Sequence, residues 1–138
     1  MEFTPLGQKI LLAKTFFGEQ FYSDLLTIVA EFEMKEENYK FSKGLLDYIN
    51  SATHQKIAIY SMNTQKCVNN IVQKNFKRKP DIIISKNNCL ETKPTNKDLI
   101  KIINLWNFKN KDVVFIGDAS GDRLSAQEAK IDFLQINC

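Results

Sequence analysis

Apolar residues recur every three or four positions through the first third of the chain, then bunch into short runs separated by polar stretches. Leu6, Ile10, Ala13 and Phe17 keep helical spacing behind Thr4, a capping residue, and Pro5, which suits the first helical turn. They predict a helix over 4–17 that stops at Gly18. Phe21, Leu25, Ile28 and Phe32 predict a second helix over 20–33 with that face inward. The polar stretch 33–40 reads as a loop, and a third helix starts near Ser42 with Leu45, Leu46 and Ile49 on its apolar side.

At Lys56 the period changes. KIAIYS (56–61) is short and β-rich, and Thr64 opens a helix to about Lys74 with Val68, Ile71 and Val72 inward. DIIIS (81–85) is a continuous apolar run, as expected of a parallel strand buried on both faces. Thr95 and Asp98 have the spacing of a capping box, ahead of a helical stripe of Leu99, Ile102, Ile103 and Trp106. DVVFIGD (112–118) reads as another buried strand, followed by a helix near 122–130 and a last strand, IDFLQI (131–136). From Ser42 onward helices and strands alternate, which predicts a mostly parallel sheet covered by helices: a Rossmann-like α/β sandwich over 41–138, preceded by a helical segment over 1–40.

The 138 residues suffice for one core, and 43% apolar with 25% charged residues is ordinary globular composition. Nineteen Lys and Arg against sixteen Asp and Glu leave only +3, too little to imply a nucleic-acid partner. The basic run Lys74, Lys77, Arg78, Lys79 lacks an interleaved aromatic platform and reads as a solvated loop. Cys67, Cys89 and Cys138 are odd in number and without CxxC spacing, which argues against a disulfide scaffold or a cysteine zinc site. The single histidine, His54, sits in an expected surface turn. No apolar run nears the ~20 residues of a membrane span, and the N-terminus has no secretory pattern. A soluble, reducing, cytoplasmic setting is the expectation.

In open α/β sheets ligands bind beyond the carboxyl ends of the strands. Three places of chemical interest fall there: Ser61 with Met62 and Asn63, Lys93 before Pro94, and Asp118 with Asp122 four residues on. A hydroxyl, a lysine and two carboxylates suit a phosphoryl group and Mg²⁺. The carboxylates are hard oxygen ligands, and the lysine, the hydroxyl and nearby amides offset and bind phosphoryl oxygens.

These stretches resemble the haloacid dehalogenase-like superfamily. VVFIGDASGDRLSAQEAKIDFLQI is similar to its fourth motif, ETKPTNKDLIKII to its third and IAIYSMNTQ to its second, in the right order over about 41–136. Lys130 departs from the pattern, standing where many members have the Gly of an Ala-Gly pair. The resemblance implies Mg²⁺-dependent hydrolysis of a small phosphomonoester through a phosphoaspartate. Ser61 and Lys93 would then be catalytic and, with Met62 and Asn63, phosphate-binding. Asp118 and Asp122 would serve the metal. It also implies that the helices over 4–33 belong to a small helical cap, in a chain that begins inside that cap.

The superfamily's first motif, DxDx followed by Thr or Val, supplies the nucleophile and the general acid/base, and this sequence has no counterpart. No Asp precedes Asp24, which lies in an expected helix. Aligning KILLAKTFF to the motif puts Lys14 and Phe16 where the two aspartates belong, and the apolar spacing favours a helix there. In the family that strand lies mid-sheet, between the second-motif and fourth-motif strands, so its loss leaves a gap of about 9.6 Å, two strand spacings. Three outcomes stay open: the sheet closes up, residues 9–14 fill the gap, or a partner chain or second copy supplies a strand. Two functions stay open with them, a phosphatase whose chain lacks its first-motif strand and a non-catalytic binding or protein-interaction module on the same fold. A weak Mg²⁺ site and a small phosphorylated metabolite are the expected ligands.

Overall fold

The computed structural model describes residues 18–35, 42–91 and 94–136. The expected helix over 4–17, the segment 9–14 and Lys93 lie outside the described residues. The elements run α1 (Glu19–Lys35), α2 (Lys43–Ser51), β1 (Ala58–Tyr60), α3 (Gln65–Asn75), β2 (Ile82–Ile84), α4 (Lys97–Trp106), a 3₁₀ turn (Asn110–Asp112), β3 (Val114–Gly117), α5 (Ser120–Ala129) and β4 (Asp132–Gln135). The alternation expected from Ser42 onward is present. Both strand pairs are parallel: Ala58 lies opposite Ile82 in β1–β2, and Val114 opposite Asp132 in β3–β4.

The sheet comes in two halves. Among the described residues no ladder joins β1 to β3. Between them lies an apolar cavity of about 660 Å³, lined by both strands and by Leu45, Ile71, Leu99 and Ile103 from α2, α3 and α4. On one face Leu99, Ile103, Ala126, Ala129 and Ile131 form the main core, with Tyr60, Phe115 and Phe133 packed against it. The Tyr60 and Phe115 rings stack at 6.1 Å, which brings the two halves into contact.

Two local expectations are corrected. In α1 the inward residues are Tyr22, Leu26 and Ala30, while Phe21 and Ile28 are exposed. The face is rotated by one position because the Tyr22 hydroxyl donates to the Lys86 carbonyl (3.0 Å), a polar anchor that hydrophobic periodicity does not register. The capping box at Thr95 does not form. α4 starts one residue later, with Asn96 as its N-cap. Thr95 accepts from the Lys97 amide (3.3 Å), and Asp98 turns away to the Leu90 amide. The helical stripe itself holds, with Leu99, Ile102 and Ile103 buried.

Lys130 caps α5 with φ +57°, in the left-handed region. A side chain there crowds the following carbonyl, so Lys130→Gly is expected to raise stability by about 1 kcal/mol. A urea midpoint at or below that of the unmodified chain would contradict it.

Candidate active site

Each parallel strand delivers a polar loop at its carboxyl end. After β1, the Ser61 amide donates to the Ile84 carbonyl (2.9 Å), and the Ser61 hydroxyl accepts from the Asn63 amide (3.2 Å), curling the Ser61–Met62–Asn63 turn. The Lys86 amide donates to the Asn63 carbonyl (3.0 Å), and Asn87 Oδ1 accepts from the Gln65 amide at the start of α3 (2.9 Å). The turns after β1 and β2 are thus tied together. Tyr22 binds α1 to this edge through the Lys86 carbonyl.

The loop that carries Lys93 is held on either side of it. Glu91 accepts from the Thr95 hydroxyl (3.0 Å) and from Lys97 Nζ (2.7 Å). Those two hydrogen bonds hold the Glu91 carboxyl below its ordinary value. The Thr95 amide donates to Ser125 Oγ (3.0 Å), and Ser125 lies about one helical turn after Asp122. The neighbours of Lys93 therefore rest on α5, on the side where Asp122 begins that helix.

After β3 the chain turns sharply. Asp122 is buried, and its Oδ2 accepts from the Ala119 amide (3.4 Å). A Cβ on Gly117 would stand 2.5 Å from Asp122 Oδ2 and 2.8 Å from its Cβ, so only glycine lets the carboxylate fold back over the strand end. The Asp118 side chain is exposed, and its backbone carbonyl accepts from Gln135 Nε2 (2.9 Å).

Tyr60 relates the two halves of the site. Burial pushes its hydroxyl well above the ordinary value, and the charges of Asp98, Cys89 and Asp122 add to this. Asp122, which follows β3, thus adds to the negative field at Tyr60, the residue before Ser61. Ser61, Met62 and Asn63 follow β1, and Asp118 and Asp122 follow β3. Asp98 is fully buried and accepts twice from the Leu90 amide (3.0 and 3.1 Å) and once from the Tyr60 hydroxyl (3.4 Å).

This arrangement matches a known pattern. The family model for haloacid dehalogenase-like hydrolases matches residues 8–136. The chain belongs to the haloacid dehalogenase-like hydrolase family. A crystal structure of a HAD-superfamily hydrolase of subfamily IA, variant 1, from Geobacter sulfurreducens has a similar fold, with a TM-score of 0.57 and 18% identity. The match covers 77% of this chain and 54% of that one, so the haloacid dehalogenase-like chain described here spans about half the length of that structure. No curated protein matches the chain.

Sequence reasoning overlooked Tyr22, Lys86 and Asp98. Lys86 lies two residues after a parallel strand, as Ser61 and Asp118 lie directly after theirs, and strand-end position would have flagged it. Tyr22 and Asp98 were hidden in helical patterns that explain them without any long-range contact. As for an ion, the fold family implies magnesium. Among the described residues no three His, Cys, Asp or Glu side chains cluster as a metal cage. Magnesium takes one or two carboxylates and keeps several waters, so the donor set of Asp118 and Asp122 fits a loosely held ion.

Proposed function

We propose that this haloacid dehalogenase-like domain binds a small phosphomonoester at the carboxyl edge of its strands, in a reducing cytoplasmic setting. In this reading Ser61 and Lys93, with the Met62 and Asn63 amides, hold the phosphoryl oxygens, and Asp118 and Asp122 face the ion. Magnesium, when bound, offsets phosphoryl charge. The reaction of the lineage is phosphomonoester hydrolysis. The observation that most supports the reading is the stacking of Tyr60, the residue before Ser61, on Phe115 of β3, the strand that Asp118 and Asp122 follow.

Before Asp24 the sequence has no Asp, and its carboxylates there are Glu2 and Glu19, neither in a DxDx pattern. That favours a second reading, a binding module that retains the phosphoryl site without turnover. Both readings require the site to bind phosphate.

Calorimetry with Mg²⁺ is expected to give millimolar affinity, equivalent to about 4 kcal/mol, weakened by Asp118→Asn. Inorganic phosphate added with Mg²⁺ is expected to bind and to lose binding in Ser61→Ala or Lys93→Ala. Absence of phosphate binding would sink both readings, and micromolar Mg²⁺ binding by the monomer would demand a further ligand.

A further inference from the structure

Asp98 sits in the first turn of α4 and is fully buried. An acidic residue in a first helical turn ordinarily stays at the surface, where it favours the helix dipole. The bonds of Asp98 reach far along the chain instead. Both its oxygens accept from the Leu90 amide, eight residues back (3.0 and 3.1 Å). Its Oδ2 also accepts from the Tyr60 hydroxyl, thirty-eight residues back (3.4 Å). Taking a carboxylate out of water is costly, and a hydrophobic side chain of similar volume often serves a core as well. Such a side chain cannot accept from two donors that arrive from different parts of the chain.

Both donors belong to segments that lead into the candidate site. Leu90 stands three residues before Lys93 in the sequence. Tyr60 ends β1, and Ser61 follows it directly. The Tyr60 ring also stacks on Phe115 of β3, the strand that Asp118 follows. Other bonds fix each segment by itself. The Ser61 amide donates to the Ile84 carbonyl, the Asn63 amide to Ser61 Oγ, and the Thr95 amide to Ser125 Oγ. Asp98 joins one segment to the other.

We propose that Asp98 is a positioning residue for phosphoryl binding. It holds the Leu90 segment and the end of β1 in one register and acts through Leu90 and Tyr60, without touching the phosphoryl group. This role rests on the phosphoryl-site reading. The side-chain chemistry makes the joint sensitive. An ionised carboxylate only accepts, with about four lone-pair sites, enough for the three bonds. Asparagine has the same shape, but its amide brings two donors to a place where Leu90 and Tyr60 already donate. Asp98→Asn therefore keeps the packing and opposes the joint. Tyr60→Phe removes the hydroxyl alone and keeps the ring that stacks on Phe115.

Amide exchange by nuclear magnetic resonance and calorimetry with inorganic phosphate and Mg²⁺, both on the full chain, test this. In Asp98→Asn the Leu90 and Asn63 amides are expected to exchange about tenfold faster relative to Ala126 in the buried face of α5. In Tyr60→Phe the Asn63 amide is expected to do so without Leu90. Phosphate is expected to bind each variant about tenfold more weakly, and the double variant no more weakly than Asp98→Asn, because both act through one contact. A lower urea midpoint with phosphate affinity and relative Asn63 exchange unchanged would overturn the proposal and leave Asp98 a structural residue. Faster exchange at Leu90 alone, or additive losses in the double variant, would overturn it too. If Asp98→Asn does not fold, Tyr60→Phe decides by the same two readouts. Absence of phosphate binding by the unmodified chain would count against the phosphoryl-site reading, and Asn63 exchange would still decide whether Asp98 holds the Ser61 turn.

Discussion

Asp98→Leu is expected to lower folding stability by about 3 kcal/mol, read as a fall in the urea midpoint with unchanged slope. Asp98 is fully buried and is the common acceptor for the Leu90 amide and the Tyr60 hydroxyl. Leucine keeps the volume and removes both bonds, leaving two donors without a partner. Asp98→Asn retains a carbonyl oxygen and is expected to cost about 1 kcal/mol. A leucine variant within half a kcal/mol of the unmodified chain would show that water replaces the carboxylate, and that the bond network does not hold the loop.

The same contact sets an alkaline limit. Burial, then the Asp98 charge, holds the Tyr60 proton on above its ordinary value. The folded state keeps that proton where the unfolded chain, near the ordinary tyrosine value of about 10, gives it up. Stability is therefore complete below that pH and falls as pH rises through it. Tyr60→Phe should flatten this alkaline fall, and an unchanged alkaline limb in that variant would assign it to other groups.

Much of the architecture was legible because strand and helix differ in period. The switch at Lys56 marks where residues stop needing one buried face and start needing two. β2 and β3 declared themselves as apolar runs flanked by charge. The rotation of α1 was illegible: Phe21 and Ile28 are larger and more apolar than Ala30, yet one long-range hydroxyl bond from Tyr22 turns them outward. The Thr95 capping box failed for a related reason. Asp98 had a stronger partner in the Leu90 amide, eight residues back, than local spacing reveals.

At the site, strand-end position singled out Ser61, Asp118 and Asp122 as candidates, because parallel strands release their loops on one side. Gly117 was visible only as part of a motif. Its physical reason, the 2.5 Å that separates Asp122 Oδ2 from a Cβ at that position, belongs to the folded turn. Of the three outcomes left open for the gap between the second- and fourth-motif strands, none is decided by the described residues, among which β1–β2 and β3–β4 form two separate pairs.

The largest effect concerns turnover. The purified chain is expected to show no measurable hydrolysis of an aryl phosphate with Mg²⁺, a deficit on the order of ten-thousand-fold or more. The family chemistry splits phosphoryl transfer into two steps through a covalent carboxylate. Asp118 and Asp122 are poor substitutes: both follow β3, and Asp122 is folded back onto the Ala119 amide. In the family the nucleophile stands at the end of the first-motif strand, for which this sequence has no DxDx counterpart. Combining Lys14→Asp with Phe16→Asp converts the end of KILLAKTF into an apolar run followed by two carboxylates at the first-motif spacing. If KILLAKTFF is the counterpart of the first motif, this double variant is expected to bind Mg²⁺ more tightly and to gain slow turnover that Asp118→Asn abolishes. Robust turnover by the unmodified chain, lost in Asp118→Asn, would show that a nucleophile is already present. Tighter Mg²⁺ binding without turnover in the double variant would identify the chain as a phosphoryl-binding module.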